Sequence, residues 1–365
     1  MSVRQPSLLL LDAHSMVYRA WYAIQNPLTV STTGEEVRGV YGFLQMFRKA
    51  IDTYQPTYIA LTMDRPTPTF RHVKYQDYKA HRPQSPQELH DQFPHVRRLM
   101  ETFKVPIFEL DGFEADDLLG TLSAQSEDNG VDALILTGDT DALQLVSPKV
   151  RVILQYRMGE QLLFDEARVR ERYDGLSPSQ LIHFKALRGD PADNIPGIPG
   201  VGEKTAIKLL KEFGSVGNIY DSLSQIPEKQ REVLATNSQV AFQGVELVTI
   251  VRDAPVTLDF EASKWGQFNR QEVIRFLQNM EFHSQVSWVP IGKPGSDVTP
   301  ISQNINGNNN VVPEYVTVQT LDELKQLTNE LMNSSGFAFD VETAPQNPDL
   351  RSVDPMRCSL VGLSI

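Results

Sequence analysis

Three short apolar runs, each closing on an aspartate, constrain this 365-residue chain more than any other feature. They are Ser7-Leu-Leu-Leu-Leu-Asp12, Tyr58-Ile-Ala-Leu-Thr-Met-Asp64 and Ala133-Leu-Ile-Leu-Thr-Gly-Asp139. Unbroken apolar runs of this length suit strands buried on both faces of a parallel sheet. Helical patterns at about 39–54, 86–103 and 114–127 lie between them. Strands alternating with helices predict an α/β fold, whose ligands bind beyond the carboxyl ends of the strands. Asp12, Asp64 and Asp139 are expected there together.

From about 176 the pattern turns helical and is interrupted by turns. Ser177-Pro178 opens a helix to about Arg188, with a cap and a proline in the first turn. Asn194-Ile-Pro-Gly197-Ile-Pro-Gly200-Val-Gly202-Glu-Lys204-Thr205 is a glycine–proline hairpin leading into a helix to about Phe213. Residues 245–260 read as extended and 270–280 as helical. The Gly- and Asn-rich stretch 291–313 reads as a linker. Residues 314–365 begin a further α/β unit that is expected to be incomplete. No apolar run approaches the ~20 residues of a membrane helix, and Leu8–Leu11 is too short for a signal-peptide core. With one cysteine, Cys358, there is no intrachain disulfide, and a reducing, cytoplasmic setting is expected.

The net charge of −12 argues against a nucleic-acid partner if taken alone, but its distribution argues otherwise. Residues 65–104 carry Arg65, Arg71, Lys74, Lys79, Arg82, Arg97, Arg98 and Lys104 against Asp77, Glu88, Asp91 and Glu101. Cations mixed with aromatics in Phe70–Arg82 suit phosphates and unpaired bases. On a helix, Lys79 and Arg82 would point the same way. In the hairpin, glycines let backbone N–H groups approach a phosphate at a helix start, the chemistry of a duplex grip without base readout.

The acids collect near the expected site: Asp12, Asp64, Glu114, Asp116, Asp117, Asp139, Asp141, Asp190 and Asp193. Glu114 and Asp117 share a helix face by their spacing. Two unit charges ~4 Å apart repel by about 4 kcal/mol at an effective dielectric of 20, so such crowding requires protonation or divalent cations. An all-oxygen set without a His or Cys cluster favours Mg²⁺ or Mn²⁺ over zinc. Two ions ~3.5–4 Å apart suit a phosphodiester displacement.

The stretches LLLLDAHSMVYRAWYA, TFRHVKYQDYKAHRP, GFEADDLLGTL, LTGDTDALQLV and GDPADNIPGIPGVGEKTA occur in that order. In them the first 290 or so residues closely resemble the 5′ nuclease domains of bacterial DNA polymerases I, members of the flap endonuclease family. The resemblance implies a PIN-like core at 1–175 with a mostly parallel sheet and a helical arch at about 65–104. It implies a helix–hairpin–helix subdomain at 176–290. It also implies a two-metal site held, directly or through water, by Asp12, Asp64, Glu114, Asp116, Asp117, Asp139, Asp141 and Asp193, with Asp190 beside them.

Tyr78, Lys79 and Arg82 match the arch base, where Lys79 and Arg82 would stabilise charge on the scissile phosphate. Arg19 matches a further phosphate contact, and Arg71 is expected at the DNA. Gly197, Gly200, Gly202, Lys204 and Thr205 match the duplex grip, where backbone carbonyls often hold K⁺. One departure is Thr140-Asp141-Ala142, where the family usually has a lysine and a leucine. The segment Phe339-Asp340-Val-Glu342-Thr343 resembles the first metal motif of a 3′→5′ exonuclease-like domain, without the later motifs. The function so implied is a monomeric Mg²⁺-dependent 5′→3′ exonuclease and flap endonuclease. It would act on flapped or nicked DNA and on RNA primers, in replication and repair, with no polymerase activity in this chain.

Overall fold

The computed structural model describes residues 5–157 and 159–290 and, in the C-terminal segment, 318, 320–333, 339–345 and 358–364. The chain forms two compact units, Met1–Val298 and Thr299–Ile365. The expected linker at 291–313 lies outside the described residues. Among the described residues, no helix is long and apolar enough to cross a membrane.

The first unit is built on a six-stranded sheet. Its strands are β1 (Ser7–Asp12), β2 (Tyr58–Thr62), β3 (Ile107–Phe108), β4 (Asp132–Thr137), β5 (Val150–Arg157) and β6 (Glu160–Phe164). The spatial order is β3-β2-β1-β4-β5-β6, with every pairing parallel except β5 with β6. Leu8 and Leu10 enter one apolar cluster and Leu9 and Leu11 another, all fully buried. The Leu run therefore behaves as a central strand covered on both faces. The chain leaves β1 toward β2 and β3 on one side, then returns to lay β4 on the other. This reversal makes a crevice at the carboxyl ends of β1 and β4.

Helices α1 (Ala13–Ala23), α2 (Arg38–Tyr54), α3 (Phe70–Lys74), α4 (Gln87–His90), α5 (Gln92–Thr102), α6 (Ala115–Asp128) and α7 (Glu166–Arg172) flank or border the sheet. Part of the segment 65–104, where an arch is expected, is built into the core. Val96, Leu99 and Met100 of α5 are fully buried in the core beside α1 and α2. Residues 75–82 are turns, not helix, and Lys79 sits in the left-handed region at φ +56°.

The helical part comprises α8 (Gln180–Arg188), α9 (Glu203–Phe213), α10 (Val216–Asp221), α11 (Glu228–Thr236), α12 (Ser238–Val248), α13 (Arg270–Asn279) and α14 (His283–Val286). The expected extended run at 245–260 is corrected here. Its first residues end α12, because Gly244 lets that helix rest on α8, where an added Cβ would stand 3.1 Å from Ala186 Cα. Packing thus overrides the strand propensity of Val245 and Val248, and no strand follows among the described residues to 290. In the second unit, α15 (Leu321–Met332) begins with a Thr320/Glu323 capping box. There, β7 (Asp340–Pro345) pairs antiparallel with β8 (Cys358–Ser364).

One buried ion pair ties three segments of the first unit together. Arg71, 3% exposed, donates from both terminal nitrogens to Asp117, 0% exposed, at 2.7 and 2.8 Å. Arg71 also donates to the Leu247 and Thr249 carbonyls at 2.8 Å each and, more weakly, to Glu114 Oε2 at 3.4 Å. Asp117 also accepts from the N–H groups of Glu114 and Val251 at 3.0 and 2.9 Å. The structure departs from two expectations: Arg71 is enclosed and spent on internal partners rather than presented at the cleft, and Asp117 is wholly buried behind the cleft with both oxygens committed to protein donors. Replacing Arg71 by Met would strand a buried charge, and a loss of about 3–5 kcal/mol is expected by urea denaturation. Joint replacement of Arg71 by Met and Asp117 by Leu should recover much of that loss; equal destabilisation by single and double variants would refute the clamp.

Candidate active site

The crevice at the reversal of strand order is a cleft of about 940 Å³ lined by Asp12, Asp64, Glu114, Asp116 and Asp139 together with Lys79, Arg82 and Arg19. Asp12 ends β1 and caps α1, its carboxylate accepting from Ser15 N–H at 3.0 Å and Thr137 Oγ1 at 2.6 Å. Asp64 follows β2 and accepts from the N–H of Ala115 at 2.6 Å. Glu114 caps α6 and Asp116 occupies its first turn. Asp139 follows β4 and receives the Asp141 N–H at 2.9 Å. Each acid is thus held at a strand end or helix start, most of them by short backbone bonds.

The electrostatic consequence is severe. Burial, with Asp64 and Asp139 adding repulsion and the Thr137 and Ser15 bonds opposing it, pushes Asp12 up to about 7. Burial followed by the charges of Asp12, Asp139, Glu114 and Asp141 drives Asp116 well above the usual carboxylate range. Asp141 also rises to about 7, through burial and Asp139, although Lys185 pulls it down.

A second group adjoins the first. One oxygen from each of Asp141, Asp190 and Asp193 lies within 4.8 Å of the others. Asp190 and Asp193 come from the turn that follows α8. Gly197 packs so closely on the end of α8 that an added Cβ would stand 2.2 Å from the Arg188 carbonyl oxygen. This contact sets the hairpin and its two acids against the sheet. Gly200 turns the hairpin at φ +77°, and Gly202 caps α9. Gly200, Gly202 and Lys204 are exposed, while Gly197 and Thr205 are half-buried.

The rim cations do not stand free. Lys79 donates to Glu114 at 2.9 Å and lies 3.8 Å from Asp193, while Arg82 bonds Asp193 at 2.6 Å. Burial raises Asp193, but Lys79 and Arg82 outweigh it and leave the acid below its usual range. Tyr78 is corrected: it is 3% exposed and its hydroxyl bonds Glu114 and Asp193, both at 3.0 Å. It organises acids and presents no face for stacking on a base. Two exposed aromatic rings do line the cleft, Tyr22 and Tyr156.

Several residues here escaped the sequence reading. His14 stacks on Phe93 at 4.1 Å, and its Nδ1 accepts the Asp64 N–H at 3.2 Å. Burial lowers its pKa and keeps it neutral against the attraction of Asp64. Thr137 and Ser15 hold Asp12, and Lys185 bonds Asp141 and Asp190. Arg19, by contrast an expected phosphate contact, is anchored to the carbonyls of Gly138 and Tyr156 at 2.8 and 3.1 Å. The position of His14 and Ser15 directly after Asp12 is the one signal that could have flagged them.

A doubly flanked, mostly parallel sheet with an acidic crevice at its switch point, followed by a glycine hairpin between helices, defines the 5′ nuclease class. Residues 7–174 match the family described as 5′-3′ exonuclease, N-terminal resolvase-like domain, and residues 176–271 match 5′-3′ exonuclease, C-terminal SAM fold. The DNA polymerase I of Chloroflexus aurantiacus is 35% identical over 387 aligned positions, covering 99% of this chain and 40% of that protein. That of Geobacillus stearothermophilus is 41% identical over 279, covering 76% of this chain and 32% of that protein. The chain therefore spans at most two fifths of the length of these relatives. In fold it is similar to the flap endonuclease of bacteriophage T5, solved as a pseudo-enzyme-product complex with DNA and metal ions. That likeness has TM-score 0.56 at 20% identity, over 75% of this chain and 99% of that one. The chain belongs to the 5′-3′ exonuclease family.

The raised acids give a pH signature in metal-free buffer. An unfolded Asp titrates near ~3.9, whereas Asp12 and Asp141 titrate near 7 when folded. The folded state then binds more protons, so stability should fall as pH rises from about 4 to 7 and level off above that. Denaturation with EDTA at pH 5 and pH 8 tests this, and Asp12→Asn should flatten the fall. A flat profile for the unaltered protein would contradict the crowding.

Proposed function

We propose that this chain is a divalent-metal-dependent 5′ nuclease that hydrolyses phosphodiester bonds in DNA bearing a 5′ flap, a nick or an RNA primer. The convergence of Asp12, Asp64, Asp116 and Asp139 at the sheet's switch point, beside Asp141, Asp190 and Asp193, carries this reading. The donors are all oxygen, and burial with mutual repulsion leaves a deficit of positive charge that hard divalent cations fit. Asp12, Asp64, Asp116 and Asp139 would hold one ion and Asp141, Asp190 and Asp193 a second. Mg²⁺, or Mn²⁺ in its place, supplies when bound the charge that activates the attacking water and stabilises the departing oxygen.

The chain's own residues bind and orient. Lys79 and Arg82, engaged with Glu114 and Asp193, exchange those partners for the scissile phosphate, where charge develops during reaction. The left-handed backbone at Lys79 and its N–H bond to the Asp193 carbonyl at 3.0 Å fix where the exchange occurs. Arg19, held by two carbonyls, adds a phosphate contact on the cleft wall. The hairpin offers N–H groups near Gly200 and Gly202, with Lys204 and Thr205, to the duplex backbone. Its carbonyls would accept K⁺ there.

Cleavage of a fluorescent 5′-flap duplex should require Mg²⁺ and stop with EDTA. Asp116→Asn and Asp139→Asn should each lose at least ~10²-fold in single-turnover rate, the scale of a lost transition-state interaction. Full activity in either variant would refute the metal assignment. Lys79→Ala should slow that step far more than it weakens duplex binding; an unchanged rate would remove Lys79 from phosphate contact.

A further inference from the structure

The cation set among the hairpin acids belongs to the protein itself. Lys185, in the last turn of α8, donates from Nζ to Asp190 Oδ2 at 2.7 Å and to Asp141 Oδ1. Its side chain is 16% exposed, and those of Asp141 and Asp190 are 19% and 6% exposed. These are two of the three acids whose oxygens gather within 4.8 Å. A divalent ion held by these oxygens would take them at the ~2.0–2.1 Å bonds of octahedral coordination. An ammonium in contact with both carboxylates fills the volume where such an ion would stand. Two cations there would repel across a sparsely hydrated space. The other acidic group differs: among the described residues, no ammonium or guanidinium bonds Asp12, Asp116 or Asp139.

We propose that Lys185 is a resident counter-ion of the second cation position, bridging Asp141 and Asp190 and leaving before a divalent ion enters. This rests on the two-ion reading above. The ions then load in order, tightly among Asp12, Asp64, Asp116 and Asp139 and weakly where Lys185 competes. The adjoining cleft of about 610 Å³, which Lys185 lines with Arg172, Tyr173 and Glu203, gives the displaced side chain room. The plain alternative is an ion pair that merely fastens α8 to the turn after β4.

Mn²⁺ binding without DNA, followed by calorimetry on the unaltered protein and on Lys185→Met, separates the two. The first ion should bind both proteins equally, and the second should bind the variant about tenfold tighter or more, within the usual range of site coupling. A second measurement needs no variant: Nζ acetylation read by mass spectrometry. Saturating Mn²⁺ should raise labelling of Lys185 severalfold and leave the exposed Lys208 unchanged. Two bound ions with equal second affinities in both proteins, or Lys185 labelling that Mn²⁺ does not move, would overturn the counter-ion role and spare the two-ion site. Fewer than two ions in both proteins would overturn the two-ion reading and this inference with it. Were the variant not to fold, the labelling result decides.

Discussion

The bidentate pair between Arg71 and Asp117 is the fixed point on which the acidic cleft depends. Asp117 lies in the first turn of α6, so holding it holds that turn and aims Glu114 and Asp116. The same guanidinium takes up carbonyls of Leu247 and Thr249, binding the C-terminal end of α12 to the start of α6. Every oxygen of Asp117 and most donors of Arg71 are used, which is the condition under which a buried pair does not destabilise. The clamp therefore works beneath the site, and it makes the crowding above it possible.

That crowding is partly neutralised from within. Glu114 and Asp193 are covered by Lys79 and Arg82, and Asp141 and Asp190 by Lys185. Among the described residues Asp12 and Asp116 have no such cover, and they are among the acids whose protons are held most tightly. The division follows the fold. Acids at the hairpin lie near α8 and the 75–82 turns, which carry lysine and arginine. Acids at the ends of β1 and β4 are surrounded by apolar strands and hydroxyls.

Periodicity made the sheet and most helices legible, because an apolar run closed by Asp12, Asp64 or Asp139 has few other ways to be buried. The short β3 and the β5–β6 hairpin carried no comparable signal. Family membership was legible too, since its motifs are contiguous words in chain order. What the sequence could not distinguish was which side of a residue faces the cleft. Asp116 and Asp117 are adjacent and chemically identical, yet a rotation of one residue along α6 turns one toward the acids and the other into the core. Arg71 and Tyr78 read as nucleic-acid contacts by type, but types do not report burial, and both are enclosed. Lys185 carried no signal of its own, because its partners lie 44 and 5 positions away.

The hairpin couples two tasks through one backbone contact. Asp190 and Asp193 belong to the cleft, and Gly200 and Gly202 face solvent a few residues on. Between them Gly197 presses on the Arg188 carbonyl. A side chain at 197 would force the two sides of this contact apart, moving the acids and the exposed glycines together. If the duplex rests on that hairpin, as proposed, its position is referred through a short run of stiff backbone to the carboxylates that face the scissile bond. On that proposal, where the duplex ends would fix where the acids act.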